Sequence, residues 1–218
     1  YGDHRDLHLS IRRQRQMCIR DRGDETTTTT VDHVSDLVEE CPIYIKRYNT
    51  KNAWHALRRT VRRSRAENCW MHAITLENLG IAVAPPVAFI QEYLGVGLKG
   101  RSWYLSEFVD GPSCLDFLLT INDKTTHEQV MKQIIDTLKL LWDHRITHGD
   151  LKGSNILLAQ DQIVVLDLDS MKNNKVKLVA NHRIRRDLAR FHRNWQDYPA
   201  LAELARKKLG DAGFSGFQ

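Results

Sequence analysis

No apolar run in this chain of 218 residues approaches the roughly 18 residues that a membrane-spanning helix needs. The longest, Ile81 to Ile90, is interrupted by Pro85-Pro86. The N-terminus also lacks the apolar core of a signal peptide. These two absences predict a cytoplasmic chain, at most peripheral to a membrane. Cysteine is scarce and unpatterned: Cys18, Cys41, Cys69 and Cys114 show neither C-x-x-C nor His-rich spacing. That excludes a zinc site and reads as free thiols in a reducing compartment. Of the formal charge of +5, residues 1–22 supply +3 through six Arg and three Asp. The remainder is ordinary and no aromatic residues interleave the arginines, so no nucleic acid is expected as a partner.

Residues 1–22 stand apart. Ile11 to Arg22 has no apolar period and no strand alternation, and it resembles a translated sequencing-adapter fragment. The segment is expected to be non-native or disordered. Beyond it, the 42% apolar content of the chain is enough for a buried core. The expected division is residues 23–109 and 110–218, parted at the Asp110-Gly111-Pro112 turn.

What the chain does have is concentrated in Thr147-His148-Gly149-Asp150-Leu151-Lys152-Gly153-Ser154-Asn155, followed by Leu166-Asp167-Leu168-Asp169. Two short apolar runs flank Gln160-Asp161-Gln162 and read as a β-hairpin that returns Asp167 to the loop. Asp150 and Asn155 stand five apart, the spacing of H-R-D-L-x-x-x-N in kinases. Phosphoryl transfer needs mainly positioning and charge neutralisation. In that chemistry Asp150 orients the attacking hydroxyl and Lys152 neutralises the moving phosphoryl group. Asn155 and Asp167 would hold Mg²⁺ against the phosphates of ATP through hard oxygen ligands. The plain alternative is a His-Gly-Asp turn before two ordinary strands, with Lys152 a solvated turn lysine.

Such a site also needs a strand lysine for the α- and β-phosphates. In the alternating run Pro42 to Tyr48, Lys46 sits where V-A-I-K places it. Arg47 competes with it, because neighbouring side chains on a strand point to opposite faces. Glu107-Phe108-Val109 falls where a hinge offers backbone groups to adenine, which makes Glu107 and Val109 cofactor-binding candidates.

Taken together, Ile45-Lys46-Arg47-Tyr48, Ser64-Arg65-Ala66, Trp70, Leu79-Gly80-Ile81, Pro86, the Asp150 loop, Asp167 and Arg186-Asp187-Leu188 resemble the lipopolysaccharide kinase family. Those are the Kdo and core-heptose kinases of Gram-negative bacteria and their InaA-like relatives. The resemblance runs from about residue 25 to the end of the chain. It implies an α+β, protein-kinase-like fold of two lobes: a small antiparallel-sheet N-lobe, short of its first strand if the N-terminus is not native, and a mainly helical C-lobe. It also implies ATP and Mg²⁺ as cofactors and a Kdo or heptose hydroxyl of the lipopolysaccharide core, or a lipid-linked acceptor, as substrate. Peripheral contact with the inner membrane would follow.

Within that resemblance several positions stay open. Asp169 stands where D-F-G carries glycine, though family members more often read D-F-D. Spacing does not choose between Asp167 and Asp169 as metal ligand; the family pattern favours Asp167. Core-heptose kinases place a Glu directly before the Trp to pair with the strand lysine, but Cys69 occupies that position here. Glu67, two residues earlier, is the remaining candidate, turned away along the helix. Asp187 resembles the helix aspartate that holds the catalytic loop through its backbone; a helix N-terminal acid favoured by the macrodipole is the alternative. Arg58, Arg59, Arg62, Arg63 and Arg65 suit a phosphorylated acceptor or an anionic membrane surface, or simply a solvated face. Two other functions compete: a kinase for a small soluble acceptor, such as a sugar or aminoglycoside, and a non-catalytic pseudokinase, which Cys69 favours. The lack of A-P-E and of a long activation segment argues against a protein substrate.

The remaining elements follow from local signals. Thr26 to Val34 and Pro42 to Tyr48 are expected to pair as strands, with Gly23-Asp24-Glu25 a remnant of the nucleotide-covering loop. A helix over Ala66 to Leu79, ended by Gly80, would bury Trp70, Ala73, Ile74 and Leu79. Val87 to Ile90 and Trp103 to Val109 read as strands joined through Gly95-Val96-Gly97 and Lys99-Gly100, followed by a short helix around Leu115 to Leu119. Thr125 to Glu128 forms a capping-box pattern. It opens a long helix through Trp142 whose apolar positions are Val130, Ile134, Leu138, Leu141 and Trp142.

Overall fold

The computed structural model describes residues 27–32, 42–49, 63–94 and 98–214. The adapter-like segment, Gly23-Asp24-Glu25, Cys18, Cys41, Arg58, Arg59, Arg62 and the Gly95-Val96-Gly97 link lie outside them. The described residues form two compact units. One takes those up to Leu79 together with Val83–Asp110; the other takes Gly80–Ala82 and those from Gly111 onward.

In the first unit, strands β1 (Thr27–Asp32) and β2 (Ile43–Tyr48) pair antiparallel. Helix α1 (Arg65–Asn78) follows, then β3 (Pro86–Leu94) and β4 (Leu98–Glu107), giving a sheet of order β1-β2-β4-β3. Lys99-Gly100 belongs to β4 and not to the connection expected there. Ser64 caps α1 by accepting the Glu67 amide at 3.1 Å, satisfying one of the free donors of the first turn. At the other end Gly80 takes φ 73, a left-handed position that suits glycine beyond a helix. The buried line of α1 is Ala66, Cys69, Ala73 and Leu76, which corrects the expected stripe. Trp70 and Ile74 are only half-buried, and Trp70 packs its ring 6.0 Å from Phe89 on β3. Ala73 of the expected stripe is buried, and Leu76 rather than Ile74 is the fully buried large residue beside it.

In the second unit, α2 (Cys114–Thr120) and α3 (Lys124–Asp143) precede β5 (Ile146–Thr147). The cap of α3 is Asp123, whose carboxylate accepts from the Thr126 amide at 2.7 Å and the Thr126 hydroxyl at 2.5 Å. The helix therefore opens before the expected Thr125 box. Its expected apolar positions are buried, joined by Met131 and Ile135. The hairpin of β6 (Ile156–Ala159) and β7 (Gln162–Val165) turns through Gln160 and Asp161 alone, at φ 47 and 60. Two consecutive left-handed residues make the type I′ turn that matches strand twist. After it, β8 (Lys172–Asn173) pairs with β5, and α4 (Lys177–Arg193) and α5 (Pro199–Asp211) complete the unit. Cys69 and Cys114 are buried free thiols, and burial pushes the Cys114 thiol up to about 12. No helix among the described residues is long and apolar enough to cross a membrane.

Candidate active site

Strand β5 ends at Thr147, and the chain then turns through His148-Gly149-Asp150. The turn is held from behind. Asp187, in the middle of α4 and 1% exposed, accepts the His148 amide at 2.7 Å and the Gly149 amide at 3.0 Å. Asp187 is thus a loop-holding residue, and the helix N-terminal alternative is set aside by its place well inside α4. Gly149 adopts φ 83, and a Cβ there would lie 2.5 Å from the Ser170 carbonyl oxygen. A side chain at the position that H-R-D fills with arginine has no room here. The buried His148 ring donates from Nε2 to the Leu166 carbonyl at 2.9 Å while Nδ1 accepts from the Asp150 amide at 3.3 Å. One imidazole therefore ties the turn to the chain segment leading into Asp167.

The polar groups gather on that frame. Lys152 Nζ lies 3.3 Å from the Asp150 carboxylate, with the two side chains 45% and 30% exposed. Asn155 donates from Nδ2 to the Asp150 carbonyl at 2.8 Å. Its amide nitrogen is committed inward, and the opposite end of the amide is the oxygen a cation would need. The Leu166 amide donates to the Asn155 carbonyl at 2.9 Å, continuing the β6–β7 register up to the residue before Asp167. Asp167 itself takes φ 56 and ψ 60, a conformation that costs a non-glycine residue of order 1 kcal/mol or more. Asp169 is buried and accepts from the Ser170 hydroxyl at 3.1 Å, whereas Asp167 is half-exposed. No group of three or more His, Cys, Asp or Glu arranged for a metal occurs among the described residues. One carboxylate and one amide oxygen suit Mg²⁺, which keeps several waters and takes its other ligands from phosphates.

In the first unit, Lys46 on β2 stands opposite Tyr104 of β4 and Thr29 of β1. Its Nζ lies 5.5 Å from the centroid of the Tyr48 ring, two residues along on the same face. The Tyr48 hydroxyl lies 3.1 Å from Cys69 Sγ, and the Arg65 guanidinium 4.7 Å from its ring. The Lys46 face is therefore the α1 face, and Arg47 takes the other. Glu67 ion-pairs with Arg63 at 3.5 Å and Lys99 at 3.9 Å; Cys69 and Arg65 are α1 side chains that meet Tyr48 beside Lys46. At the end of β4, the Glu107 amide donates to the Pro85 carbonyl and the Phe108 amide to the Pro42 carbonyl, both at 2.8 Å. Prolines have no N–H to return, so the Glu107 and Phe108 carbonyls receive no reciprocal ladder bond from these partners.

Sequence reasoning passed over three supports of this site. Asn174 donates to the Arg145 carbonyl at 2.8 Å and the Thr147 hydroxyl at 3.2 Å, and Asn194 donates to the Leu151 carbonyl at 3.4 Å. Neither asparagine belongs to a local pattern, so no signal pointed to it. Gly149 stands where H-R-D carries arginine, and the steric reason emerges only from the packing of Ser170.

A sequence profile described as the lipopolysaccharide kinase (Kdo/WaaP) family matches residues 11–209. Among solved structures, a WaaP in complex with acyl carrier protein superposes with a TM-score of 0.61 at 15% identity, covering 90% of this chain and 83% of that one. At that identity the likeness carries the fold, which is protein-kinase-like α+β. Among curated proteins, the serine/threonine-protein kinase ppk11 of Schizosaccharomyces pombe is 38% identical over 69 residues, 30% of this chain and 22% of that protein. The kinase pakG of Dictyostelium discoideum is 33% identical over 81 residues, 35% of this chain and 7% of that protein. The chain spans less than a quarter of either of these curated relatives.

Proposed function

This chain belongs to the lipopolysaccharide kinase (Kdo/WaaP) family, and from that premise we propose that it transfers the γ-phosphoryl group of ATP to a Kdo or heptose hydroxyl of a lipopolysaccharide core. The observation that carries the reading is the Asp187 clamp on His148 and Gly149, which presents Asp150, Lys152 and Asn155 together. In this reading Asp150 orients the sugar hydroxyl and takes its proton as the new O–P bond forms and the bond to ADP breaks. Lys152, 3.3 Å from that carboxylate, meets the charge on the transferring oxygens. Asn155 and Asp167 hold Mg²⁺, which when bound neutralises the phosphates. Lys46 reaches the α- and β-phosphates, and the Glu107 carbonyl with the Val109 backbone receives adenine.

The test is transfer from labelled ATP to dephosphorylated lipopolysaccharide core, with Asp150→Asn beside the wild type. We expect transfer by the wild type and a loss of about 10²-fold or more in the variant. Equal turnover by both would remove Asp150 from its role. A second reading, nucleotide binding without transfer, is favoured by the engagement of Glu67 with Arg63 and Lys99. Retained Mg·ATP binding with no transfer to any core or small-sugar acceptor would select it.

A further inference from the structure

The segment from Ser170 to Arg186 holds six Lys or Arg and no Asp or Glu. Within it the tip of α4 exposes Val176 at 57%, Leu178 at 80% and Val179 at 44%. Single exposed apolar side chains are ordinary, but three within four residues, interleaved with Lys177 and preceded by Lys175, are not scattered. The tip is also fixed in place. Asn174 bonds the carbonyls of Arg145 and Lys172 at 2.8 and 3.1 Å and accepts from Arg183 at 2.7 Å. Arg145 in turn donates to the Lys175 carbonyl at 3.3 Å. The exposed tip is thereby tied to β5, the strand that runs into His148 and Asp150.

Further along, Arg186 and Arg193 fall on the exposed side of the same helix. With Arg190 and Arg206 they line a cavity of about 1030 Å³ between α4 and α5, over an apolar floor that includes Leu209 and Phe214. Guanidinium groups over an apolar floor fit a phosphate carried on a hydrocarbon chain. We propose that α4 docks the protein on an anionic bilayer. The apolar tip enters the interface beside lysines that face the headgroups, and the arginine cavity takes lipid phosphate. Lysine-flanked apolar side chains on a helix are the pattern of interfacial binding, and each surface cation adds attraction to anionic lipid. Docking through a tip tied to β5 would hold the catalytic loop near a lipid-linked acceptor, a consequence that rests on the kinase reading; the docking itself does not.

The experiment is sedimentation of the full chain with phosphatidylglycerol–phosphatidylcholine vesicles and with phosphatidylcholine vesicles alone. Wild type should bind the anionic vesicles, weakly at high salt, and bind the neutral ones far less. Lys175→Ala with Lys177→Ala should lower partitioning about 30-fold, at about fivefold per charge. Leu178→Asp with Val179→Asp should abolish it, and Arg193→Glu with Arg206→Glu should weaken it, each with an unchanged thermal midpoint. Turnover on a soluble, lipid-free core acceptor separates the two readings. Variants that keep it while losing vesicle binding support the docking. Vesicle binding without turnover keeps the docking and removes the kinase reading. Equal binding to both vesicle types, no binding by wild type, or wild-type binding by the tip variants would overturn the proposal; absence of any vesicle binding would leave the face to an acidic protein.

Discussion

Asp187 shows how one side chain fixes a whole turn. Its two carboxylate oxygens accept the two consecutive amides of His148 and Gly149, and Arg190 stands 3.4 Å away on the next turn of α4. Buried amides left without an acceptor cost about 1–3 kcal/mol each. Asp187→Ala should therefore lower unfolding free energy by about 3 kcal/mol in urea titration, and Asp187→Asn, which keeps one acceptor oxygen, should cost less. Turnover should fall further than ATP affinity, because the loop that carries Asp150 is displaced while the Lys46 face stays intact. An alanine variant as stable as the wild type would show that the clamp is not what holds the turn. Part of this was legible beforehand, since the family resemblance related Asp187 to the Asp150 loop. The alternative left open, an acid at a helix start, is settled only by where α4 begins. Asn174 and Asn194 could not have been read at all, because their roles depend on backbone carbonyls that no sequence pattern marks.

At the scale of elements, local chemistry that repeats was readable and chemistry that depends on rotation was not. The β6–β7 hairpin follows from two apolar runs around a polar turn, and α3 from its apolar spacing over five turns or so. Helix α1 was placed correctly along the chain, since Gly80 closes it. Its buried face was read only in part: Ala73 is buried as expected, but Trp70 and Ile74 carry the larger apolar signal and are half-buried, while Ala66, Cys69 and Leu76 are buried. The start of α3 was misplaced for a similar reason: Asp123 competes with Thr125 as cap, and a carboxylate that reaches both the amide and the hydroxyl of Thr126 wins. Those bonds, the hydroxyl first and then the amide, hold the Asp123 carboxyl below the usual carboxylate range. A depressed carboxylate adds stability above its unfolded-state value and loses it as pH falls through the folded one. Wild type should thus be more stable than Asp123→Ala at neutral pH, with the difference shrinking as pH falls from the unfolded-state value through that lowered one. Urea midpoints across pH check this, and a difference that persists undiminished in strong acid would assign the effect to something other than the ionised cap.

For the whole molecule, composition conceals what matters most. A formal charge of +5 is modest, yet the segment from Ser170 to Arg186 holds six Lys or Arg and no Asp or Glu, so net charge is a poor guide to the surface an anionic ligand meets. The same would hold for the proposed Mg²⁺ site: one carboxylate and one amide make no cage on their own, and that donor set would become sufficient only with phosphates present. Nucleotide and Mg²⁺ should then stabilise the chain only together. At a hundredfold excess over the dissociation constant a ligand adds about 2.7 kcal/mol, which in a chain of this size raises the thermal midpoint by about 5–10 °C. Mg·ATP should give that shift, ATP with EDTA a much smaller one, and Mg²⁺ alone none. Asp150→Asn should keep the full shift while losing turnover, since in the proposed mechanism its carboxylate meets the sugar and not the metal. Asp167→Ala should lose both. A full shift in Asp167→Ala would move the metal to Asp169, and a wild type that Mg·ATP does not stabilise would sink the nucleotide reading as a whole.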